Sequence, residues 1–385
     1  MIIWREGMVR SVGRTWDGAR EVEVELRAPA GDDDAPPAGL VAGDVVRALA
    51  YTATVGSPEP GDRVLLSAAA LARGLGTGGY AMVVALPDRL PGDPPAGPGH
   101  VVKARYSPAQ TMVLGVDEQE SPWHEVLRDA DDLAGMPVVV ADLHSALPAV
   151  VAGARAEAAR RGAAVPTVAY VMTDGGALPA AFSRSLAALR ASGWVAATIT
   201  AGQSYGGDLE AVNVHTALLA ARLVLGADIT VVTQGPGNLG TGTRWGFSGV
   251  SAGEAVNAAG VLGGRPVAAL RVSGADPRDR HRGVSHHSLT AYGRVALRPA
   301  DVPVPTGPSG EGPLWQRVRE QSETLAAPVG IHRLVEVDAV VPAEALAATP
   351  VRLSTMGRGL AEDPAAFLAS AVAGAHAAAL VLDRG

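Results

Sequence analysis

Val138-Val139-Val140-Ala141-Asp142-Leu143-His144-Ser145 is a short apolar run that breaks into a polar turn, and an Ala-rich helical segment near 145–161 follows it. The same grammar recurs along the chain. Apolar runs at Thr167–Met172, Val195–Ile199, Ile229–Val232 and Val267–Val272 alternate with helical segments near 177–191, 208–225 and 251–262. Later strands are expected at 333–337 and 351–354, with helices at 312–325, 342–347 and 364–381. Strands alternating with helices imply a mostly parallel sheet covered on both faces, here a doubly wound, Rossmann-like α/β arrangement. Its crossovers should be right-handed.

Upstream the pattern is different. Glu21-Val22-Glu23-Val24-Glu25-Leu26 alternates with period two, as a half-buried strand does. Further strands are expected at 44–54, 62–67 and 80–86. Asp32-Asp33-Asp34 and Pro36-Pro37 mark a turn region, and Pro60-Gly61-Asp62 marks another. Several short strands in so few residues suggest a small closed or nearly closed barrel. Between Pro87 and Pro98 lie five prolines and two glycines, a linker composition. The expected division is a β-barrel-like domain over 1–98 and an α/β domain over 99–385.

The bulk numbers narrow the function classes. Of the 385 residues, 48% are hydrophobic and 18% charged, a globular balance. Only three are Phe, so the cores must be aliphatic. Net charge is −7, and the one basic cluster, Arg278, Arg280, His281 and Arg282, is short. Nucleic acid is therefore not an expected partner. The chain has no cysteine, which removes disulfides, thiolate nucleophiles and Cys-ligated zinc. Met1-Ile2-Ile3-Trp4-Arg5-Glu6 lacks the apolar core of a signal peptide. Ser370, Gly374 and His376 interrupt the apolar stretch from Ala366 to Leu382, which reads as a docked helix rather than a membrane span. A cytoplasmic location is expected, without a membrane partner. Lys103 is the only lysine among 32 Lys and Arg residues, and a compact amine kept against that bias could contact an anion, as could its neighbour Arg105.

In parallel sheets ligands bind outside the carboxyl ends of the strands. Most of the unusual polar segments fall there. Asp142 to Ser145 follows the first strand, and Thr173-Asp174-Gly175-Gly176 follows the second. A third loop runs from Thr200 to Gly207, and Asp208 and Glu210 should open the helix after it. The fourth loop begins Gln234-Gly235-Pro236-Gly237-Asn238-Leu239-Gly240-Thr241-Gly242-Thr243-Arg244 and contains no carboxylate up to Gly253. Backbone N–H groups of Gly235, Gly237, Gly240 and Gly242, with Asn238, Thr241, Thr243 and Arg244, could hold an anion there. Gly235-x-Gly237-x-x-Gly240 matches a dinucleotide fingerprint only formally, because no helix starts directly behind it. NAD and FAD are not expected.

Histidines form the second constellation. Asp142 and His144 lie two apart in an extended segment and can point the same way. Arg280-His281-Arg282-Gly283-Val284-Ser285-His286-His287 adds three more. Adjacent His286 and His287 should not both reach one centre. Asp142, His144, Asp174, His281, His286 and His287 are the candidates for acid–base catalysis. Asp142, His144 and His286 are the candidate ligands if a divalent metal binds, although no standard ligand spacing is present. His215 is expected to serve core or interface packing.

Taken together, Leu75-Gly76-Thr77-Gly78-Gly79-Tyr80, the segment from His100 to Tyr106, Asp142 to Ser145, the Gly-rich loop to Gly249, and Gly283 to Thr290 resemble the bacterial, mainly actinobacterial, domain-of-unknown-function family 3866. The resemblance spans nearly the whole chain. It implies a bacterial protein and carries no known activity, so it transfers no functional residues.

Function is therefore open at this level. The leading expectation is a hydrolase or transferase that binds an anionic small molecule, such as a nucleotide or phosphorylated metabolite, at the strand ends. The alternatives are a non-catalytic small-molecule sensor, and a structural homo-oligomer, for instance a homodimer, whose Gly-rich loops form an interface.

Overall fold

The computed structural model describes residues 2–27, 40–75 and 78–384. The expected turn at Asp32 to Pro37 and Gly76-Thr77 of the family-like motif lie outside the described residues. The chain divides into two compact units, Met1–Gly97 and Pro98–Gly385.

The first unit is a closed five-stranded barrel. Its strands are β1 (Trp4–Trp16), β2 (Ala19–Leu26), β3 (Val45–Tyr51), β4 (Arg63–Ser67) and β5 (Ala81–Ala85), in the order β1-β2-β3-β5-β4. Antiparallel pairing of β1 with β4 closes the ring, and only the β3–β5 pair is parallel. Period-two alternation points Val9, Val22, Val24, Val64, Leu66 and Val83 into its core.

The second unit opens with a hairpin, β6 (Val101–Lys103) and β7 (Thr111–Val113). Its main element is an eight-stranded sheet of β8 (Pro137–Val140), β9 (Val168–Thr173), β10 (Ala197–Ala201), β11 (Leu209–Ala211), β12 (Ile229–Gln234), β13 (Arg265–Ala268), β16 (Asp301–Thr306) and β17 (Arg333–Asp338). The order is β11-β10-β9-β12-β8-β13-β16-β17, and every pair is parallel. Two short hairpins accompany it: β14 (Val272–Ser273) with β15 (Gly283–Val284), and β18 (Ser354–Thr355) with β19 (Arg358–Gly359).

Around the sheet lie α1 (Leu147–Arg160), α2 (Arg184–Ala191), α3 (Val214–Leu223), α4 (Ser251–Val261), α5 (His286–Thr290), α6 (Pro313–Glu323), α7 (Val340–Ala345) and α8 (Pro364–Leu382). Val138 and Val140 join one apolar cluster, and Val139 and Ala141 join another. Alternate side chains thus enter cores on opposite faces, which is why the strand reads as an unbroken apolar run. The neighbours β8 and β12 connect onward in opposite directions, β8 to β9 and β12 to β13. Such a switch point leaves a crevice at the carboxyl ends of the two strands.

Three expectations need correction. The segment at Asp208 and Glu210 does not open a helix. Leu209–Ala211 is the edge strand β11, and α3 begins at Val214 behind the cap Asn213, whose side chain accepts from Thr216 N–H. Residues 351–354 supply only Ser354 to a two-residue strand. The strand Asp301–Thr306 was missed, and it carries Pro303 and Pro305, which are rare inside a sheet. Two prolines of the same parity withhold N–H from one side. The strand pairs with β17 over its whole length but with β13 only at Val267–Asp301.

α8 is the described helix long and apolar enough to cross a membrane, and it is mostly buried inside the protein.

Candidate functional site

Asp142 leaves β8 at the crevice. Its side chain is 2% exposed, yet Oδ2 accepts no hydrogen bond. Arg271 Nη1 and His287 Nδ1 each lie 3.6 Å from that oxygen, beyond hydrogen-bond length. The backbone carbonyl of Asp142 accepts from Gln234 Nε2 at 2.8 Å, which ties the ends of β8 and β12 together.

Behind Asp142 stand the three histidines. Gly283, at φ 71°, turns the chain after a 3-10 turn at Asp279–His281, and Ser285 caps α5 by accepting from His287 N–H. His286 and His287 therefore occupy the first turn of α5 and converge with His281. Ring centroids are 5.0 Å apart for His281–His286, 5.0 Å for His281–His287 and 4.4 Å for His286–His287. The expectation that adjacent histidines would diverge is corrected by this placement at a short helix end. His281 Nδ1 bonds Ser285 Oγ at 2.7 Å, and His286 Nε2 is buried without a partner. Phe247 stacks on His287 with centroids 3.8 Å apart, and Asn238 Nδ2 lies 3.5 Å from His287 Nδ1. Burial, with the Arg271 charge next in weight, pushes His281 down to about 3. Burial and then the neighbouring His287 push His286 down to about 4. Both imidazoles are neutral at ordinary pH, the form that accepts protons or ligates metals. α5 continues into a π-helical turn, Ala291–Val295, whose Tyr292 donates to the carbonyls of Val140 and Ala269.

On the other side of Asp142 a cavity is lined by Ser145, Arg271, Ser273, Asp276, Thr355 and Arg358. Asp276 is not free for chemistry. Hydrogen bonds from Arg278 hold its carboxyl well below the usual range, and Arg358 reaches it at 3.2 Å. Asp363 completes this ionic lattice, taking Ser273 Oγ at 2.5 Å and Arg358 Nε at 3.1 Å.

Several other candidates go elsewhere. His144 starts a 3-10 turn, so its ring swings away from Asp142. Its Nδ1 bonds Tyr170 Oη at 2.8 Å and its Nε2 bonds Ser183 Oγ at 2.6 Å, and burial pushes it down to about 4. Both nitrogens are spent, which removes His144 as a metal ligand in this arrangement. Asp174 is exposed and accepts from Gln203 N–H at 2.7 Å, bracing loop three.

Lys103 is wholly buried. Its ammonium donates to the carbonyls of Ala211 at 2.8 Å, Ser204 at 3.0 Å and Thr200 at 3.5 Å, with Glu210 Oε2 3.5 Å away. Burial lowers its pKa and raises that of Glu210, while each opposes the other's shift. It is a pin for loop three, not an anion ligand. Its neighbour Arg105 puts its guanidinium over the exposed Tyr106 ring. His215 is exposed on α3 and so does not serve core packing.

At the base of loop four Gly235 serves close backbone packing, whereas Gly237, Gly240 and Gly242 have open space around them. A Cβ on Gly176 would lie 2.1 Å from the Gly235 carbonyl, and one on Gly235 would lie 2.2 Å from that of Ala177. Gly235 N–H already donates to Thr173. The tip closes on itself, with Thr241 N–H donating to Gly246 and the two threonine hydroxyls 3.1 Å apart. Gly237, Gly240, Gly242, Thr243 and Arg244 are exposed there. Asn238 and Phe247, at the two ends of the loop, reach the histidines.

Sequence reasoning missed Arg271, Phe247 and Gln234. Arg271 carried a usable signal, because it ends the apolar run from Val267 to Leu270 and so stands at a strand's carboxyl end.

No curated protein and no solved structure matches this chain. A family model described as "Protein of unknown function (DUF3866)" matches residues 47–374, which include the whole crevice. The chain belongs to that family.

Proposed function

We propose that this protein is a cytoplasmic enzyme, a hydrolase or transferase, that binds an anionic small molecule at the carboxyl ends of β8, β12 and β13. The observation that carries the reading is the Asp142 carboxylate. It is buried, one oxygen is unsatisfied, and it faces a guanidinium and an imidazole just beyond bonding distance. Leaving a buried charge unpaired is costly, and such groups concentrate where a ligand completes them. Asp142 would move the proton, and Arg271 would meet the anion. The Arg-rich surroundings favour a nucleotide or phosphorylated metabolite. We read the sheet as doubly wound in the Rossmann-like sense, on the support of its two-faced core and its switch point.

Turnover of chromogenic phosphate and carboxylate esters and of nucleotides tests this. Asp142→Asn should lower kcat by about 10²–10⁴, the range for losing an acid–base group, with an unchanged circular dichroism spectrum. Turnover that survives the substitution unchanged contradicts the reading.

A further inference from the structure

We propose that His281, His286 and His287 together bind one divalent transition-metal ion of the zinc class. This deepens the enzyme reading and favours its hydrolase branch, but the geometry stands without it. One ring nitrogen from each histidine lies within 4.8 Å of the other two. In a tetrahedral zinc site with bonds of 2.0–2.1 Å, ligand nitrogens are about 3.3 Å apart, so the rings need close in by about 1.5 Å at most. The cluster has an uncommitted ring nitrogen already in place, since His286 Nε2 is buried without a partner. Ser285 Oγ fixes His281 through Nδ1 and leaves Nε2 to face an ion.

Asp142 supplies the independent observation. Its unsatisfied Oδ2 lies 3.6 Å from His287 Nδ1. Arg271 Nη1 donates to His287 Nδ1 at 3.0 Å, which fixes the ring and leaves Nε2 for an ion, and the carboxylate beside them offsets the charges of the ion and of the guanidinium. An all-imidazole donor set selects zinc, cobalt or nickel over magnesium and calcium. Among the described residues no fourth histidine or carboxylate joins the group, and three protein ligands are the pattern that leaves a position for water or substrate.

The test uses the full chain, stripped with a chelator and titrated with Zn²⁺ by calorimetry and with Co²⁺ by visible absorption. One ion per chain and the intense bands of four-coordinate cobalt are expected. Asp142→Asn should weaken zinc binding by about 10–100-fold. His281→Gln and His286→Gln should each weaken it further, and His215→Gln should leave it as in the wild type. If a histidine variant does not fold, X-ray absorption on the zinc-loaded wild type should still count three imidazole nitrogens. Absence of zinc binding overturns the proposal. So does binding that His281→Gln and His286→Gln leave intact, as an ion at the exposed His100, Glu118 and Glu120 would give. Zinc binding without turnover of any substrate upholds the metal site and defeats the enzyme reading. Turnover by protein that binds no zinc does the reverse.

Discussion

At the scale of single residues, position relative to a strand end was legible and side-chain direction was not. Asp142 is found where the sequence put it, because leaving an apolar strand at the carboxyl edge fixes where a residue sits. His144, two residues on, turns away because a 3-10 turn intervenes, and nothing in the spacing announces that turn. Lys103 stood out by rarity, but its use is internal. Replacing it with Met takes the ammonium away from the buried carbonyls of Ser204 and Ala211 and leaves Glu210 without its cation. We expect Lys103→Met to cost about 3–5 kcal/mol in urea unfolding, as breaking a buried ion pair does, and a loss under about 1 kcal/mol would contradict this.

Buried histidines also set a pH dependence. His332 Nδ1 accepts from Ala300 N–H and Nε2 meets the Tyr292 carbonyl, so the folded chain holds a neutral ring. Burial lowers its pKa, against the pull of that carbonyl, and burial takes His144 down to about 4. Unfolded imidazoles take a proton near pH ~6.5, so below that the unfolded state binds more protons than the folded one. These contributions are fully present above that pH and are lost as it falls toward 4, with a slope of up to about 1.4 kcal/mol per pH unit for each ring. Urea midpoints at several pH values should show His332→Gln with a shallower slope than the wild type. Equal slopes would remove His332 from the account.

Among elements, the strands with unbroken aliphatic runs were readable, while those whose residues argue locally for something else were not. β16 hides behind Pro303 and Pro305, tolerated because its pairing to β13 lapses. β11 carries Leu209-Glu210-Ala211, a helix-like string held as a strand by pairing with β10 and by Glu210 accepting from Thr200 Oγ1 and Gly206 N–H. The docking of α8 on α1 depends on two glycines. A Cβ on Gly374 would lie 1.8 Å from the Val150 carbonyl, and one on Gly153 would lie 1.8 Å from that of Ala371. Backbone is in the way, so the helices must separate. Gly374→Ala should destabilise by about 3 kcal/mol, at the upper end for overpacking, as a lowered denaturant midpoint. A midpoint unchanged from the wild type would mean that the helices are not in such contact.

For the whole molecule, the barrel and the parallel sheet followed from two periodicities, one of two residues and one of alternating elements. Part of the site followed from the sheet. Loops one and four were singled out because of where strands end and the segment from Arg280 to His287 because of its histidines, and they supply Asp142, Asn238 and the three histidines. What composition did not reveal is that some of these glycines serve packing. Their missing side chains let loops two and four press together, a tertiary fact that composition does not carry.

The central claim is that Asp142 and Arg271 belong to one ligand-binding crevice. The most direct measurement is a thermal-shift titration with phosphate, nucleotides and sugar phosphates on the wild type, Asp142→Asn and Arg271→Ala. A ligand at 100 times its Kd stabilises by about 2.7 kcal/mol, so a true ligand gives a clear rise in Tm. The account predicts such a rise in the wild type that both substitutions abolish or sharply reduce. No rise with any of these compounds, or a rise that both variants keep in full, would contradict it.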